Sequence, residues 1–314
     1  MHLTVCIATR NRGGSIADTL RSLGASQYRD FDIVIVDQSV DDATEQAVRL
    51  CADGLAIKYV RSASAGLSRA RNLCIEHASG PIVSFTDDDC EVGEDWMERI
   101  VESFRDHPDV AEICGSVLPG PHDQRLGFIP TYPITARRRV NSPWTKWREG
   151  GIGANMSFRL DALRVVGAFD EVLGAGGPLY TCEDGDMTYR VLRAGYYVLQ
   201  LPEAYVIHHG KRDWKEGQVM MYRVGVGVAA AYMKHLRLLD LAAVPLLLIE
   251  WARCISWRRL FLLQPHVGLR RFLGYARGLG ISFRYDIDHQ SRTYRLPQDR
   301  NMAHSRRAMR LVEL

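Results

Sequence analysis

Pro81-Ile82-Val83-Ser84-Phe85-Thr86-Asp87-Asp88-Asp89 is the stretch whose reading decides the fold. The apolar, β-rich run follows the breaker Ser79-Gly80-Pro81, so it reads as a buried strand. Three carboxylates at the carboxyl end of such a strand stand where open α/β sheets bind their ligands. Adjacent like charges repel, so the triplet is unfavourable unless something cationic resolves it. A hard divalent cation shared with a phosphorylated substrate would do so, because Mg²⁺ favours oxygen ligands and shares them with phosphates. The plainer alternative is a solvated acidic loop opening the next helix, whose N-terminus favours carboxylates.

Outward from this stretch, strand and helix patterns alternate through roughly the first 110 residues, which predicts βαβ units and a parallel sheet. Strands are expected at 3–8, 32–36, 56–60 and 82–86, and helices at 14–25, 42–52, 66–78 and 93–105. The short apolar strands suit a sheet covered by helices on both faces. Thr9-Arg10-Asn11 follows the first strand and Asp37-Gln38-Ser39 the second. In a parallel sheet these segments and the triplet emerge on one edge and converge on one cleft.

Residues 119–150, with several prolines, Arg137-Arg138-Arg139, Trp144 and Trp147, read as a long loop. Residues 151–210 return to mixed α/β structure and end in the strand-like Ala204-Tyr205-Val206-Ile207-His208. From about 213 the pattern is helical, and beyond Gln290 the tail looks polar, basic and flexible.

The chain of 314 residues is long enough for a large α/β domain with a substantial core. Its seven cysteines are scattered and form no C-x-x-C pair, which argues against a disulfide framework or zinc site and for a reducing compartment. The first residues look like a strand and lack a signal-peptide layout, so a cytoplasmic location is expected.

Net charge is +3, but residues 211–314 hold 19 Lys and Arg against 8 Asp and Glu. Such a basic third suggests an anionic partner, with membrane lipid or nucleic acid as candidates. Leu241 to Leu263 is apolar but interrupted by Glu250, Arg253, Arg258 and Arg259. It falls short of the roughly 18 uninterrupted apolar residues of a spanning helix. Cations beside Trp251, Trp257, Phe261, Phe272 and Tyr275 fit a helix lying at an anionic membrane surface. The alternative is a helical subdomain packed on the catalytic one. No recognised nucleic-acid motif supports the nucleic-acid reading.

The segments 5–12, 33–37, 68–72 and 85–89 look like the ordered signature of family 2 glycosyltransferases with a GT-A fold. Gly153-Ala154-Asn155-Met156-Ser157-Phe158-Arg159, Gly167-Ala168-Phe169-Asp170-Glu171 and Glu183-Asp184-Gly185-Asp186-Met187 continue the match in order. The resemblance covers about residues 3–210. It implies a Rossmann-like, mostly parallel sheet with helices on both faces. A catalytic domain over 1–210 would divide into a nucleotide-sugar half, 1–118, and an acceptor half, 119–210. A membrane-associating helical region, 211–290, and a basic tail, 291–314, would follow.

The same resemblance implies roles. Thr9, Arg10 and Asp37 would hold the base and ribose of a nucleotide-diphosphate sugar, with Arg71 near the diphosphate. Asp87 and Asp89 would be the DXD pair, Asp89 binding Mg²⁺ or Mn²⁺ and Asp87 the ribose or the ion's water shell. Asp88 stands with the donor-binding set or merely supplies spacing. His208 or His209 would complete the metal site; alternation lets only one face the cleft, and resemblance favours His208. Asp184 would be the general base, with Asn155, Glu183 and Trp147 on the acceptor side. Helix capping by Asp184 or Glu183 is the structural alternative.

The implied reaction moves one sugar, with inversion, onto a glycan or lipid-linked acceptor. The family's frequent Asp-Gly-Ser after the second strand is here Asp37-Gln38-Ser39, which changes the turn. The Gln-x-x-Arg-Trp motif of processive synthases is absent, which favours single transfer. A sugar-phosphate nucleotidyltransferase is the competing enzyme reading.

Overall fold

The computed structural model describes residues 1–145, 150–255, 265–296 and 309–313. The first half follows the alternation read from sequence. Strands β1 (Leu3–Thr9), β2 (Phe31–Asp37), β3 (Ile57–Ser62) and β4 (Ile82–Asp87) alternate with helices α1 (Gly13–Ala25), α2 (Ala43–Cys51) and α3 (Leu67–His77). They pair in parallel in the order β3-β2-β1-β4. Successive side chains on a strand face opposite ways, so each strand feeds two cores. Val5, Ile7, Ile33 and Ile35 enter one beneath α1 and α2, while Cys6, Val34 and Val36 enter the other with Ala70, Leu73 and Cys74 of α3.

Beyond β4 the sheet becomes mixed. The next elements are β5 (Cys90–Val92), α4 (Trp96–Asp106), β6 (Val110–Pro119), β7 (Arg138–Val140), β8 (Asn155–Arg159), α5 (Leu160–Val166), α6 (Glu183–Arg193) and β9 (Tyr197–His208). Strand β8 inserts antiparallel between β4 and β6, and β9 runs parallel to β6. Strand β5 lies antiparallel to β9 and sets Cys90 opposite His208.

Two expectations are corrected here. Part of the supposed loop over 119–150 is strand β7, paired antiparallel to β9. Its arginines anchor it, the Arg139 guanidinium lying 4.3 Å over the Tyr197 ring. Nor is all of the 291–314 tail loose. Short strands β10 (Ile287–Asp288) and β11 (Thr293–Tyr294) form a hairpin, and β12 (Met309–Glu313) runs antiparallel to β3 at the sheet edge. Tyr294 is buried, donating its hydroxyl to Ala230 O and its N–H to Asp170.

Helices α7 (Trp214–Arg237), α8 (Ala243–Ile255) and α9 (Pro265–Ile281) close the described chain. Helix α7 starts at a capping box between Asp213 and Glu216. Glycines let α7 and α9 approach closely: a Cβ on Gly274 would fall 2.1 Å from Tyr222 O. Lys234 of α7 is fully buried and bridges Asp170 at 2.7 Å and Asp186 at 2.8 Å. A charge so deep is tolerable only when paired on the spot. The motif acids Asp170 and Asp186 are therefore struts that pin α6 to α7.

Candidate active site

A cleft of about 490 Å³ opens at the carboxyl ends of β1, β2 and β4, the position expected of an open α/β sheet. Thr9, Arg10, Arg71, Asp87, Asp88, Asp89, Glu183, Asp184 and His208 all line it. The sheet has brought together residues up to two hundred positions apart.

The three aspartates have different surroundings. Asp88 is buried and accepts hydrogen bonds from the Thr9 hydroxyl at 2.6 Å and from Arg12 Nη1 at 3.0 Å. Burial, against the pull of Thr9 and Arg12, pushes its carboxyl up to about 6. It is thus more than a spacer: it holds the loop after β1. Asp87 lies 3.9 Å from Arg71, and burial outweighs that cation to raise its carboxyl.

Asp89 also contacts Arg12 through Oδ2. Its Oδ1 is buried without an aligned hydrogen-bond donor among the described residues, and His208 Nε2 lies 3.2 Å from it. Burial would raise this carboxyl, but His208 and Arg12 outweigh it and hold it below its ordinary value.

His208 is the residue that faces the cleft, whereas His209 turns to Glu91 at 2.9 Å. The His208 Nδ1 meets the Pro130 carbonyl at 2.9 Å, which suits an N–H there and leaves Nε2 for a ligand. Burial alone would depress this imidazole, but the Asp89 partner raises it.

Ligand atoms of Asp87, Asp89, Cys90 and His208 lie within 4.8 Å of one another. Oxygen and imidazole donors with an orphaned buried Oδ1 fit a divalent ion. Cys90 adds a thiol not foreseen from sequence, which burial and the Asp87 and Asp89 charges push well up. Gly210 closes the back of this cluster. A Cβ there would fall 2.6 Å from His208 Nε2 and 2.8 Å from Asp89 Oδ2, so only glycine leaves the cradle open.

Across the cleft, Glu183 and Asp184 occupy the first turn of α6. The N-cap is Cys182, at φ 76°, so Asp184 is not the cap. That left-handed turn is strained for a residue with a Cβ and directs the acidic pair into the cleft. Asp184 accepts from Gly153 N at 3.0 Å and Gly185 N at 2.6 Å, which fixes its carboxylate. Glu183 pairs with the buried Arg71 at 2.8 Å. Burial and the Asp184 charge, opposed by Arg71, push Glu183 up to about 7. Arg71 is 3% exposed, a buried cation and not a surface arginine.

Two expected site residues do not reach the cleft. Asn155 is buried, its amide donating to Ser116 O and Ala204 O and accepting from Trp96 Nε1, so it ties the sheet to α4. Asp37 is fully buried; its carboxylate accepts from Ser39 N at 2.7 Å and from the Tyr59 hydroxyl. Gln38 lines the cleft instead, its amide bonded both ways to the Gly66 backbone. Trp147 lies outside the described residues. No role for Arg12 follows from the sequence, although it ends the segment 5–12. Only its place three residues after a ligand-bearing strand end could have flagged it.

The sequence model described as glycosyl transferase family 2 matches residues 4–167, just over half of the chain. The chain belongs to glycosyl transferase family 2. This transferase is 30% identical over 219 residues to the succinoglycan biosynthesis protein ExoM of Rhizobium meliloti, covering 66% of each chain. It is 26% identical over 182 residues to the glucosyl-dolichyl phosphate glucuronosyltransferase of Haloferax volcanii, covering 56% of this chain and 57% of that one. It therefore spans somewhat less than two thirds of these relatives' own lengths.

The transferase has the GT-A fold. The mannosyltransferase PcManGT of Pyrobaculum calidifontis, solved with GDP-Man and Mn²⁺, superposes with TM-score 0.61 at 18% identity, over 88% of this chain and 86% of that one. S. aureus TarS 1–349, solved with UDP-GlcNAc, gives 0.55 at 15% identity, over 92% and 95%.

Proposed function

We propose that this transferase moves a single sugar from a nucleotide-diphosphate sugar to a hydroxyl of a glycan or lipid-linked acceptor, with inversion and with Mg²⁺ or Mn²⁺ bound. The observation that carries the reading is the pairing, in one cleft, of a fixed carboxylate, Asp184, with the donor set of Asp87, Asp89 and His208. PcManGT was solved with a nucleotide sugar and Mn²⁺, which supports the donor class and the ion. The glucuronosyltransferase named for glucosyl-dolichyl phosphate supports a lipid-linked acceptor.

Asp89 and His208 would hold the ion, with Asp87 beside them, where it would neutralise charge on the leaving diphosphate. Thr9 and Arg10 would position the nucleotide and Arg71 the diphosphate. Asp184 would take the acceptor hydroxyl proton as that oxygen bonds to the anomeric carbon. The bond from that carbon to the diphosphate oxygen breaks on the opposite face, releasing a nucleoside diphosphate. Glu183 would border the acceptor.

No helix among the described residues is long and apolar enough to cross a membrane. A peripheral position on the inner face of the cell membrane would bring a lipid-linked acceptor to the cleft. A donor panel assayed with and without Mn²⁺ tests the reading. Release of nucleoside diphosphate on sugar transfer is expected; release of pyrophosphate would instead identify a nucleotidyltransferase.

A further inference from the structure

We infer that the outer face of α8 and α9 is a docking surface for an anionic lipid bilayer. The inference rests on the membrane location proposed above, not on the chemistry of the cleft.

Helix α8 shows an apolar face to solvent. From 241 to 252, every exposed or half-exposed residue is apolar, with Leu241 at 71%, Leu248 at 60% and Trp251 at 46% exposed. The acid of this helix, Glu250, is buried and paired with Arg253 and Arg271. A continuous exposed apolar stripe costs free energy in water and marks an interaction surface.

Helix α9 lies alongside: Tyr275 donates its hydroxyl to Leu247 O at 2.8 Å, and Arg271 reaches Glu250 at 2.6 Å. Its exposed residues form two lines. Leu269, Leu273, Ala276 and Gly280, then Phe283 in the following short helical turn, recur every three or four residues. Arg270, Arg277 and Arg284 recur every seven, which sets the helical pair on one edge with Arg284 continuing the line. None of the three has a carboxylate partner among the described residues, whereas Arg21, Arg99 and Arg125 on other surfaces each face one.

Apolar residues flanked by arginines match the depth profile of a bilayer surface, where cations meet anionic headgroups and aliphatic and Trp side chains enter the acyl boundary. A second copy of the chain fits less well, because a self-complementary contact would bring two rows of like charge together.

Flotation of the full chain with phosphatidylcholine vesicles, with and without phosphatidylglycerol, tests the inference at low salt. Wild type is expected to float with the anionic vesicles. The variant R270Q/R277Q/R284Q should lose on the order of 100-fold in partitioning, from about five-fold per charge. The variant L248S/W251S should lose binding that added salt does not already remove. Thermal melting and Mn²⁺-dependent donor binding, read in parallel, should stay unchanged in both variants. Loss of donor binding in wild type would sink the transferase reading instead. Failure of wild type to float, or equal flotation of all variants, overturns the docking surface. A dimer in sedimentation that L248S/W251S converts to monomer would assign the face to a second copy.

Discussion

Arg12 rests a guanidinium nitrogen on Asp89, the carboxylate expected to hold the metal, while the same nitrogen lies 3.0 Å from Asp88. A protein cation thus sits where a divalent ion would share ligands. The two compete for the Asp89 carboxylate. Arg12→Ala should therefore tighten binding of Mn²⁺ alone by about five-fold, the scale of a partly exposed ion pair. Titration calorimetry with Mn²⁺ reads this, and unchanged affinity would mean that Arg12 leaves Asp89 without cost.

The aspartates should separate by role. Asp89→Ala should weaken Mn²⁺ binding on the order of 100-fold, because it removes the orphaned oxygen. Asp88→Ala should change Mn²⁺ affinity far less while loosening the Thr9 and Arg12 loop and weakening donor binding. Equal loss of metal in both variants would sink this division.

Asp184→Asn should lower turnover by about 10² to 10⁴, the range for a general base, with donor affinity kept. Its two backbone partners, Gly153 and Gly185, fix the side chain through oxygens that the amide partly retains. Donor binding lost together with activity would point to a structural role.

Glu183 gives stability a pH dependence. Its folded-state carboxyl is raised from 4.5 to about 7 by burial and Asp184, against Arg71. The folded protein therefore holds this proton more tightly, and the resulting stability is complete below about 4.5 and lost as pH rises through about 7. Relative to Glu183→Gln, wild type should lose up to about 3 kcal/mol between pH 5 and 8. Denaturant melts at the two pH values measure the change, and a constant difference would contradict it.

Lys234→Met should destabilise the fold by about 3–5 kcal/mol, because it leaves Asp170 and Asp186 buried without their shared cation. His235 does not replace it: burial, against the Asp186 charge, lowers that imidazole to about 4 and keeps it neutral. Urea unfolding would show the loss as a lower midpoint with unchanged slope. A shift below 1 kcal/mol would show that water or Arg190 compensates.

The local pattern of the first hundred residues was enough for β1 to β4 and the helices between them. Each is a short apolar run between breakers, and residue spacing alone reports that. The mixed half, β5 to β9, was far less legible, because its pairing depends on contacts between distant segments. Strands β7 and β12 show this most clearly: their basic residues read as loop and tail, and only pairing with β9 and β3 makes them strands.

The aspartate triplet and its place at the cleft follow from residue type and strand-end position, so the sequence alone determined them, whereas the acidic pair at 183 and 184, on the first turn of a helix, was implied at that site only by the family resemblance. Which carboxylates face the cleft did not follow, because exposure is set by packing. Asp37 and Asn155 carry the right chemistry for a site, yet Tyr59, Trp96 and the neighbouring backbone consume it in the interior. Arg12 and Lys234 act through partners many positions away, and Gly210 through the room it leaves between His208 and Asp89. Tertiary structure alone decided those roles, since burial and pairing belong to the folded chain.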